Sequence, residues 1–254
     1  MAADRGESQS KSESEPEPPS EFESQREWAS SPTGRSALIL AGGYSRRFGD
    51  ADKAVAELAG TPMIRRVVDR LTPVVETVVI NCRAKQQPAI REALADGVDP
   101  TFAVDSVPDR GPMAGILTGL RATQTDVAAI VACDMPFVDP NFVSSLFAQL
   151  PTVDGTTEPD AIVPQLESRH LQPTQAVYRT QPMIDACERA LARGDSRVQD
   201  ALAELEYLVL DERELRERTV LESFENVNTR AELAAAADAL SGEKRVDELP
   251  FERI

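Results

Sequence analysis

The stretch Ala37-Leu38-Ile39-Leu40-Ala41-Gly42-Gly43 places a glycine-rich turn directly after four apolar residues. A short, continuous apolar run that ends at a turn signal predicts a β-strand buried on both faces. Glycine lets the backbone approach a phosphate closely and direct its N–H groups toward the oxygens. We therefore expect a buried strand followed by a phosphate-binding loop.

The residues that continue this loop add fixed positive charge, because Arg47 and Lys53 follow it closely. The spacing differs from GxGxxG of dinucleotide-binding folds, and Gly49 is followed by Asp50 rather than by the Lys-Ser/Thr of a P-loop. An ordinary glycine turn is the alternative, but it gives no reason for the two cations. The loop predicts a polyanion site in which Arg47 and Lys53 act on the bound phosphates.

Strand-like and helix-like segments alternate after the loop. Strands are predicted at 77–81, 101–104 and 127–132, and helices at 61–71, with Pro62 in the first turn, at 88–94 and at 113–122. This alternation predicts an α/β fold with an open, mostly parallel sheet and helices on both faces. In such sheets, ligands bind beyond the carboxyl ends of the strands.

The second half of the chain is less regular. Residues 160–164 and 175–178 predict two strands joined by a polar loop that carries Arg169 and His170, and a small β-hairpin insertion fits them better than a crossover. Helices at 181–192 and 230–240, with a strand at 207–210 between them, complete the pattern.

Composition bounds the class of protein. The 254 residues are 41% hydrophobic and 5% aromatic, which suits one domain with an Ala/Val/Leu core, expected at 35–254. Residues 1–34, rich in Ser, Glu and Pro, predict a disordered acidic tail. The sequence contains no run of eighteen apolar residues and no basic-then-apolar leader, so we expect a cytoplasmic protein without membrane contact.

Charge and reactive side chains exclude several functions. A formal net charge of -16 argues against a nucleic-acid partner, because no basic stripe is available to displace phosphate counterions. The same acidity suggests the hypothesis of a salt-rich cytoplasm, where ions screen self-repulsion. Three widely spaced cysteines and one histidine predict neither a disulfide framework nor an HExxH zinc site.

Asp134 follows the apolar strand predicted at 127–132, with only Cys133 between them. A carboxylate at the carboxyl end of a buried parallel strand faces the same crevice as the glycine loop. There it can hold a hard cation such as Mg²⁺ that bridges triphosphate oxygens. Helix capping is the alternative role for this residue.

Two further clusters offer polar groups near the predicted crevice. Gly111 and Gly115 leave a helix N-terminus bare for an anion or a nucleoside edge. Asn81 and Asp105 both follow predicted strands, where each can bind a base or ribose or serve as an ordinary turn residue.

The segment Asn226-Val227-Asn228-Thr229 precedes the last predicted helix. Asn228 or Thr229 can be the helix N-cap. Alternatively, the two asparagines bring an amide oxygen to the metal or the substrate.

Together these motifs resemble the MobA-type nucleotidyltransferases, the family of molybdenum cofactor guanylyltransferases. The resemblance extends over nearly the whole chain after the tail. The matching segments are Leu40-Ala41-Gly42-Gly43 with Arg46-Arg47, Asp52-Lys53, Asn81, Asp105, Gly111 to Gly115, Asp134-Met135-Pro136, Arg197 after Gly194, and Asn226 to Thr229. Phe48 departs from the pattern, in which methionine is usual, but it keeps an apolar side chain there.

The resemblance implies a fold of the nucleotide-diphospho-sugar transferase type and a Mg²⁺-dependent reaction. In that reaction GMP is transferred from GTP to the terminal phosphate of molybdopterin, and pyrophosphate is released. Transient contacts with molybdenum-insertion or molybdoenzyme-maturation proteins are a further expectation. The implied nucleotide-binding residues are Leu40, Ala41, Gly42, Gly43, Lys53, Asn81, Asp105, Gly111, Gly115 and Asp134, with Asp134 also the metal ligand; Arg197, Asn226 and Asn228 are expected at the acceptor, near the loop around Arg169 and His170.

Two other functions stay open. One keeps the fold and the metal but changes the base to cytosine or the acceptor to a phospholactate, a cobinamide phosphate or a sugar phosphate. The other is a non-catalytic nucleotide-binding scaffold. Lys53 and Asp134 together argue against the scaffold, since a protein that only binds a nucleotide needs no metal ligand.

Overall fold

The computed structural model describes residues 34–43, 48, 52–105, 111–150, 158–167 and 170–247, with side chains as far as residue 240. The predicted tail at 1–34, except Gly34, lies outside the described residues, as do Arg47 and Arg169.

Short strands and helices alternate along the described chain. The strands are β1 (Arg35–Leu40), β2 (Glu57–Leu58), β3 (Thr61–Pro62), β4 (Thr77–Cys82), β5 (Thr101–Val104), β6 (Val127–Ala132), β7 (Ala161–Pro164), β8 (Gln175–Arg179) and β9 (Tyr207–Leu210). The α-helices are α1 (Met63–Leu71), α2 (Gln87–Ala93), α3 (Gly111–Arg121), α4 (Pro140–Gln149), α5 (Thr180–Arg193), α6 (Val198–Leu202), α7 (Glu212–Arg216) and α8 (Arg230–Asp247). Single 3₁₀ turns lie at Lys53–Val55, Thr72–Val74 and Leu221–Phe224.

Seven of these strands form one sheet in the order β5-β4-β1-β6-β8-β7-β9. β1 pairs in parallel with both β4 and β6, β4 with β5, and β7 with β9, whereas β8 is antiparallel to both of its neighbours. The predicted open, mostly parallel sheet is therefore confirmed.

The predicted hairpin strands pair antiparallel, as expected, but they are not an insertion apart from the sheet. β8 pairs with β6 as well as with β7, so both strands extend the main sheet. The reason is that β6 is apolar on both faces and lies inside the sheet. Pairing with the buried strand β8 satisfies the backbone groups along the side of β6 that faces away from β1.

Helices cover both faces of the sheet, and the side chains of β1 show why. Ala37 and Ile39 belong to a core that includes residues of α1 and α4. Leu38, which points the other way, belongs to a second core with residues of α3 and α5. Successive side chains of a strand alternate between its faces, so a strand covered on both sides is apolar throughout.

One predicted helix start was wrong. Thr61 and Pro62 do not open α1; they pair with β2 in a two-residue hairpin, and Pro62 adopts an extended ψ of 137°. The helix begins at Met63 instead. Helix α4 was not predicted, although Asp139 and Pro140 give its start: the Asp139 carboxylate accepts a hydrogen bond from the Asn141 backbone N–H at 2.8 Å.

The strand order reverses at β1, because the chain runs outward to β4 and β5 and then returns to β6 on the other side. A crevice forms at such a point beyond the carboxyl ends of the strands. The loops after β1 and β6 carry the glycines and Asp134, respectively. The topology therefore brings the two predicted parts of the site to the same crevice.

Candidate functional site

A cleft of about 400 Å³ opens at the carboxyl ends of β1, β4 and β6. Many of the residues predicted from the sequence line it, from distant parts of the chain. They are Leu40, Ala41, Gly42, Gly43, Lys53, Asn81, Asp105, Gly111, Gly115 and Asp134; Asp52, Arg83, Cys133 and Thr174 are among the others.

At one end of this cleft, Lys53 contacts two other polar side chains. Its Nζ donates to Asp134 Oδ2 at 2.5 Å and to Asn228 Oδ1 at 2.9 Å. The Lys53 and Asp134 side chains are 17% and 15% exposed, so the ion pair is largely removed from water. An ion pair in that environment is screened less than one at the surface. This end of the cleft therefore combines a cation with two converging oxygen ligands.

Local hydrogen bonds fix Lys53 and Asp134 in place. Asp52 Oδ1 accepts from the Ala54 backbone N–H at 3.1 Å and caps the 3₁₀ turn on which Lys53 lies. On the other side, the Cys133 backbone N–H donates to the Leu40 carbonyl at 3.1 Å. Asp134 thus leaves the sheet beside the glycine loop, as the sequence predicted.

The segment before α8 brings Asn228 to the same point. The Val227 backbone N–H donates to the Asp134 carbonyl at 2.9 Å, which ties this segment to the loop after β6. Thr229 is the helix cap, since its hydroxyl accepts from the Glu232 backbone N–H at 3.1 Å and Glu232 reciprocates. The Asn228 side chain is thereby left to Lys53. Asn226, in contrast, is exposed.

Asn81 and Asp105 form the other end of the cleft. Asn81 is 2% exposed, and its Nδ2 donates to the Ala103 carbonyl at 3.1 Å and to Asp105 Oδ1 at 2.7 Å. A Cβ at Gly42 would lie 2.9 Å from Asp105 Oδ2, and one at Gly115 would lie 2.5 Å from Asn81 Oδ1. Glycine at both positions therefore lets the loop and α3 close on this polar pair.

Two residues that the sequence analysis did not single out support the glycine loop. Buried Gln86 donates from Nε2 to the Ala41 carbonyl at 2.8 Å. Its Oε1 accepts from the Arg83 backbone N–H and from Arg83 Nε, each at 3.0 Å, and Arg83 Nη2 is 3.4 Å from the Gly43 carbonyl. The sequence did contain a signal for Arg83, because this residue directly follows β4 at the same carboxyl end of the strand as Asn81.

Three residues linked to the acceptor by the sequence analysis do not line the cleft. Arg197 is exposed at the start of α6, where its backbone N–H donates to Asp200 at 3.1 Å. Its neighbour Ser196 lies closer to the cleft, because the Ser196 carbonyl is 3.2 Å from a Cβ built at the cleft residue Gly111. Asn226 and His170 are also exposed. Their roles toward an acceptor stay predictions.

A glycine loop, a lysine and a strand-end aspartate around a switch-point cleft define an α/β protein that binds a nucleotide and can transfer a phosphoryl-type group. The comparisons with known proteins agree with this class. The family model described as MobA-like NTP transferase domain matches residues 37–208. The chain belongs to this family, and the resemblance inferred from its motifs is confirmed.

Individual relatives are similar over most of the chain. A probable molybdenum cofactor guanylyltransferase of Natronomonas pharaonis is 45% identical over 82% of this chain and 98% of its own. One of Haloferax mediterranei is 42% identical over 80% of this chain and 93% of its own. Molybdopterin-guanine dinucleotide biosynthesis protein A of Archaeoglobus fulgidus, a crystal structure, is 28% identical with a TM-score of 0.66, over 82% of this chain and 99% of its own.

No helix in the described part of the chain is both long and apolar enough to cross a membrane.

Proposed function

We propose that this protein is a molybdenum cofactor guanylyltransferase, which transfers GMP from GTP to the terminal phosphate of molybdopterin. The observation that carries the proposal is the convergence of Asp134 and Asn228 on Lys53 beside the glycine loop. Relatives named as probable molybdenum cofactor guanylyltransferases match this chain over nearly their whole length. The lysine and carboxylate distinguish this cleft from a site built only to bind.

In the proposed reaction an oxygen of the acceptor's terminal phosphate attacks the α-phosphorus of GTP. The bond from the α-phosphorus to the oxygen that bridges to the β-phosphorus breaks, and pyrophosphate leaves with those electrons. Such transfers depend mainly on positioning and on electrostatic stabilisation of the phosphate oxygens. Lys53 supplies fixed positive charge, and the backbone of Ala41 to Gly43 lets the nucleotide approach closely.

The oxygen atoms at this end of the cleft fit Mg²⁺. The Asp134 carboxylate and the Asn228 amide oxygen are hard ligands of the kind that Mg²⁺ prefers. Among the described residues there is no group of three or more His, Cys, Asp or Glu side chains arranged for a metal ion. Asp134 and Asn228 would hold Mg²⁺ here, and the ion would supply charge neutralisation at the substrate phosphates during transfer.

The Lys53–Asp134 ion pair gives a reason for nucleotide and metal to bind together. In the pair, each side chain compensates the charge of the other inside a partly buried cleft. A bound triphosphate pairs with Lys53, and a bound cation pairs with Asp134. If only one of the two ligands binds, the other side chain of the ion pair loses its counter-charge. We expect GTP and Mg²⁺ to increase each other's affinity, a reciprocal effect by linkage.

The deciding experiment measures pyrophosphate release with GTP, Mg²⁺ and molybdopterin. Lys53→Met and Asp134→Asn should each lower kcat/KM by roughly a hundredfold or more, the usual effect of removing a group that stabilises transition-state charge. Exposed Lys85→Met and exposed Asp96→Asn are matched controls that should leave it unchanged.

Three outcomes would contradict parts of the proposal. Unchanged turnover in both site variants removes these residues from the reaction. Equal rates with CTP remove the guanylyl assignment. Mg²⁺-dependent GTP binding without pyrophosphate release from any acceptor supports a nucleotide-binding scaffold instead.

GTP and molybdopterin are the substrates of the proposal. A cytoplasmic location and transient contacts with molybdenum-insertion or molybdoenzyme-maturation proteins stay predictions.

A further inference from the structure

The two ends of the cleft differ in charge, which orients a nucleotide. Lys53 attracts phosphates at one end. At the other end the Asp105 carboxylate, held by Asn81 at 2.7 Å, repels them. If the proposed function is right, on which this inference rests, the phosphates lie at Lys53 and the base lies toward Asp105.

Arg83 brings a positive group to the side of the cleft where Asp105 lies, because the Asp105 backbone N–H donates at 3.0 Å to the carbonyl of Cys82, the residue before Arg83. It follows β4 directly, is half-buried and lines the cleft. Its Nη2 is 3.4 Å from the carbonyl of Gly43, at the opening of the glycine loop. A guanidinium carries five N–H donors in a rigid planar fork, which is the geometry that recognises paired acceptors on a ligand.

Gln86 fixes the position of this guanidinium. It is 3% exposed, and it donates to the Ala41 carbonyl while its Oε1 accepts twice from Arg83. One buried amide therefore couples the orientation of Arg83 to the backbone of the glycine loop. A long side chain that is already ordered loses less entropy when it binds a ligand.

We propose that Arg83, positioned by Gln86, recognises the O6 and N7 acceptors of guanine while Asp105 accepts from N1–H and the 2-amino group. Guanine presents two adjacent acceptors on one edge, which match the fork of an arginine. Adenine places an amino donor where guanine has O6, and cytosine likewise presents an amino donor. Arg83 thus selects guanine over these bases, and Gln86 is a positioning residue.

The test compares KM and kcat for GTP and two analogues. ITP lacks the 2-amino group, and 7-deaza-GTP lacks the N7 acceptor. Arg83→Met should raise KM for GTP and ITP alike by roughly ten- to a hundredfold, the usual discrimination of a bidentate arginine–guanine contact, with little change in kcat. Its effect on 7-deaza-GTP should be clearly smaller.

Two companion substitutions separate the contributions. Asp105→Asn should weaken the binding of GTP more than that of ITP, because ITP lacks the 2-amino group from which Asp105 accepts. Gln86→Leu should reproduce the analogue pattern of Arg83→Met. Gln86→Glu keeps the acceptor for Arg83 and should restore the preference for GTP over 7-deaza-GTP. Exposed Lys85→Met is the control.

The outcomes separate this inference from the function on which it rests. Equal loss of GTP and 7-deaza-GTP binding in Arg83→Met overturns base recognition by Arg83, even if turnover of the unmodified protein is normal. If the unmodified protein shows no turnover, the proposed function fails. Mg²⁺-dependent thermal stabilisation by the same three nucleotides then still tests Arg83, with equal losses again overturning its role.

Discussion

Asn226 and Asn228 are equivalent in the sequence pattern, with only Val227 between them before the last helix, but the structure gives them different environments. Asn228 is half-buried and bonded to Lys53, whereas Asn226 is exposed. Sequence periodicity does not reveal which of two nearby amides meets a lysine 175 positions away. The contact depends on how the segment before α8 docks on the loop after β6.

Asn228→Ala should lower kcat/KM for GTP by roughly tenfold or more, since a hydrogen bond to a charged group contributes about 1.5–3 kcal/mol. Asn226→Ala is the matched comparison and should leave the KM for GTP unchanged, because Asn226 is exposed whereas Asn228 is bonded to Lys53. Pyrophosphate release measures both. Similar losses in the two variants would indicate a general effect on the segment rather than the Lys53 contact.

The reactivity of the three cysteines also depends on the surroundings of each single residue. Burial, followed by the charge of Asp105, raises the pKa of the Cys82 thiol from 9.0 to about 11. Burial raises the pKa of Cys187 to about 12, and it raises that of Cys133 as well. A thiol must lose its proton to act as a nucleophile, so Cys133 lines the cleft as an apolar group.

These shifts predict a pH dependence. The pKa of Cys82 is higher in the folded state than in the unfolded state, so only the unfolded state loses this proton between about pH 9 and about pH 11. Its contribution to the free energy of unfolding is therefore constant below about pH 9 and falls as pH rises toward about 11. The melting temperature should therefore fall over this window, and less steeply in Cys82→Ala. Iodoacetamide should label the thiols at pH 8 only after unfolding in urea; rapid labelling of the native protein would contradict the assignment.

At the scale of elements, the hairpin between β2 and β3 carries local strain. Ala59 and Gly60 have φ of 50° and 77°, and their strands pair Leu58 with Thr61. A two-residue loop with positive φ at both positions is typical of a type I′ turn, which favours Asn-Gly. Alanine is disfavoured there because its Cβ crowds the following carbonyl.

Ala59→Asn should stabilise the protein by roughly 0.5–1 kcal/mol, because asparagine tolerates positive φ better than alanine. Ala59→Val should destabilise it, since a β-branched side chain fits this region worst. The free energy of unfolding in urea measures both. The position is exposed, so lost packing does not confound the comparison.

Two of the three glycines in helix α3, Gly115 and Gly119, have different roles. A Cβ at Gly119 would lie 2.2 Å from Leu38 Cδ1, a fully buried side chain of β1. A Cβ at Gly115 would instead lie 2.5 Å from Asn81 Oδ1, at the base end of the cleft. One glycine brings the helix onto the sheet, and the other makes room for a polar side chain.

Gly119→Ala should lower the free energy of unfolding by about 1–3 kcal/mol through overpacking, with the affinity for GTP nearly unchanged. Gly115→Ala should weaken GTP binding more strongly, because it displaces the Asn81 amide that holds Asp105. Urea unfolding and equilibrium binding of GTP measure the two effects. An identical ratio of stability loss to affinity loss in both variants would contradict the separation.

At the scale of the whole molecule, net charge is the dominant property. A formal charge of -16 produces self-repulsion that salt screens, since the screening length falls from about 10 Å at 0.1 M to about 3 Å at 1 M. The melting temperature should therefore rise from ~0.1 M to ~1 M KCl.

A variant that removes three exposed carboxylates gives the control for this salt effect. Glu57→Gln, Glu92→Gln and Asp96→Asn together should flatten the dependence on KCl, because fewer charges remain to be screened. If the unmodified protein were equally stable and active in dilute buffer, repulsion would not be a main determinant of its stability.

The main features of the fold were predictable because they depend on local patterns. The strand at 127–132 is apolar throughout, and only strands covered on both faces have that composition. The β2–β3 hairpin was missed because two-residue strands give weak periodic signals, and α4 was missed although Asp139 and Pro140 mark its start. The wrong helix start at Thr61 has the same origin, since Pro62 suits both a first helical turn and an extended strand end.

The sequence by itself determined the α/β alternation, the glycine loop and the polar residues at strand ends, because these follow from residue spacing and side-chain chemistry. Only the tertiary structure decided which side chains meet. Lys53, Asp134 and Asn228 come from three distant segments, and Gln86 links Arg83 to the loop through a buried amide. Such contacts depend on strand order and helix docking, and these are set by packing of the whole core rather than by any local pattern.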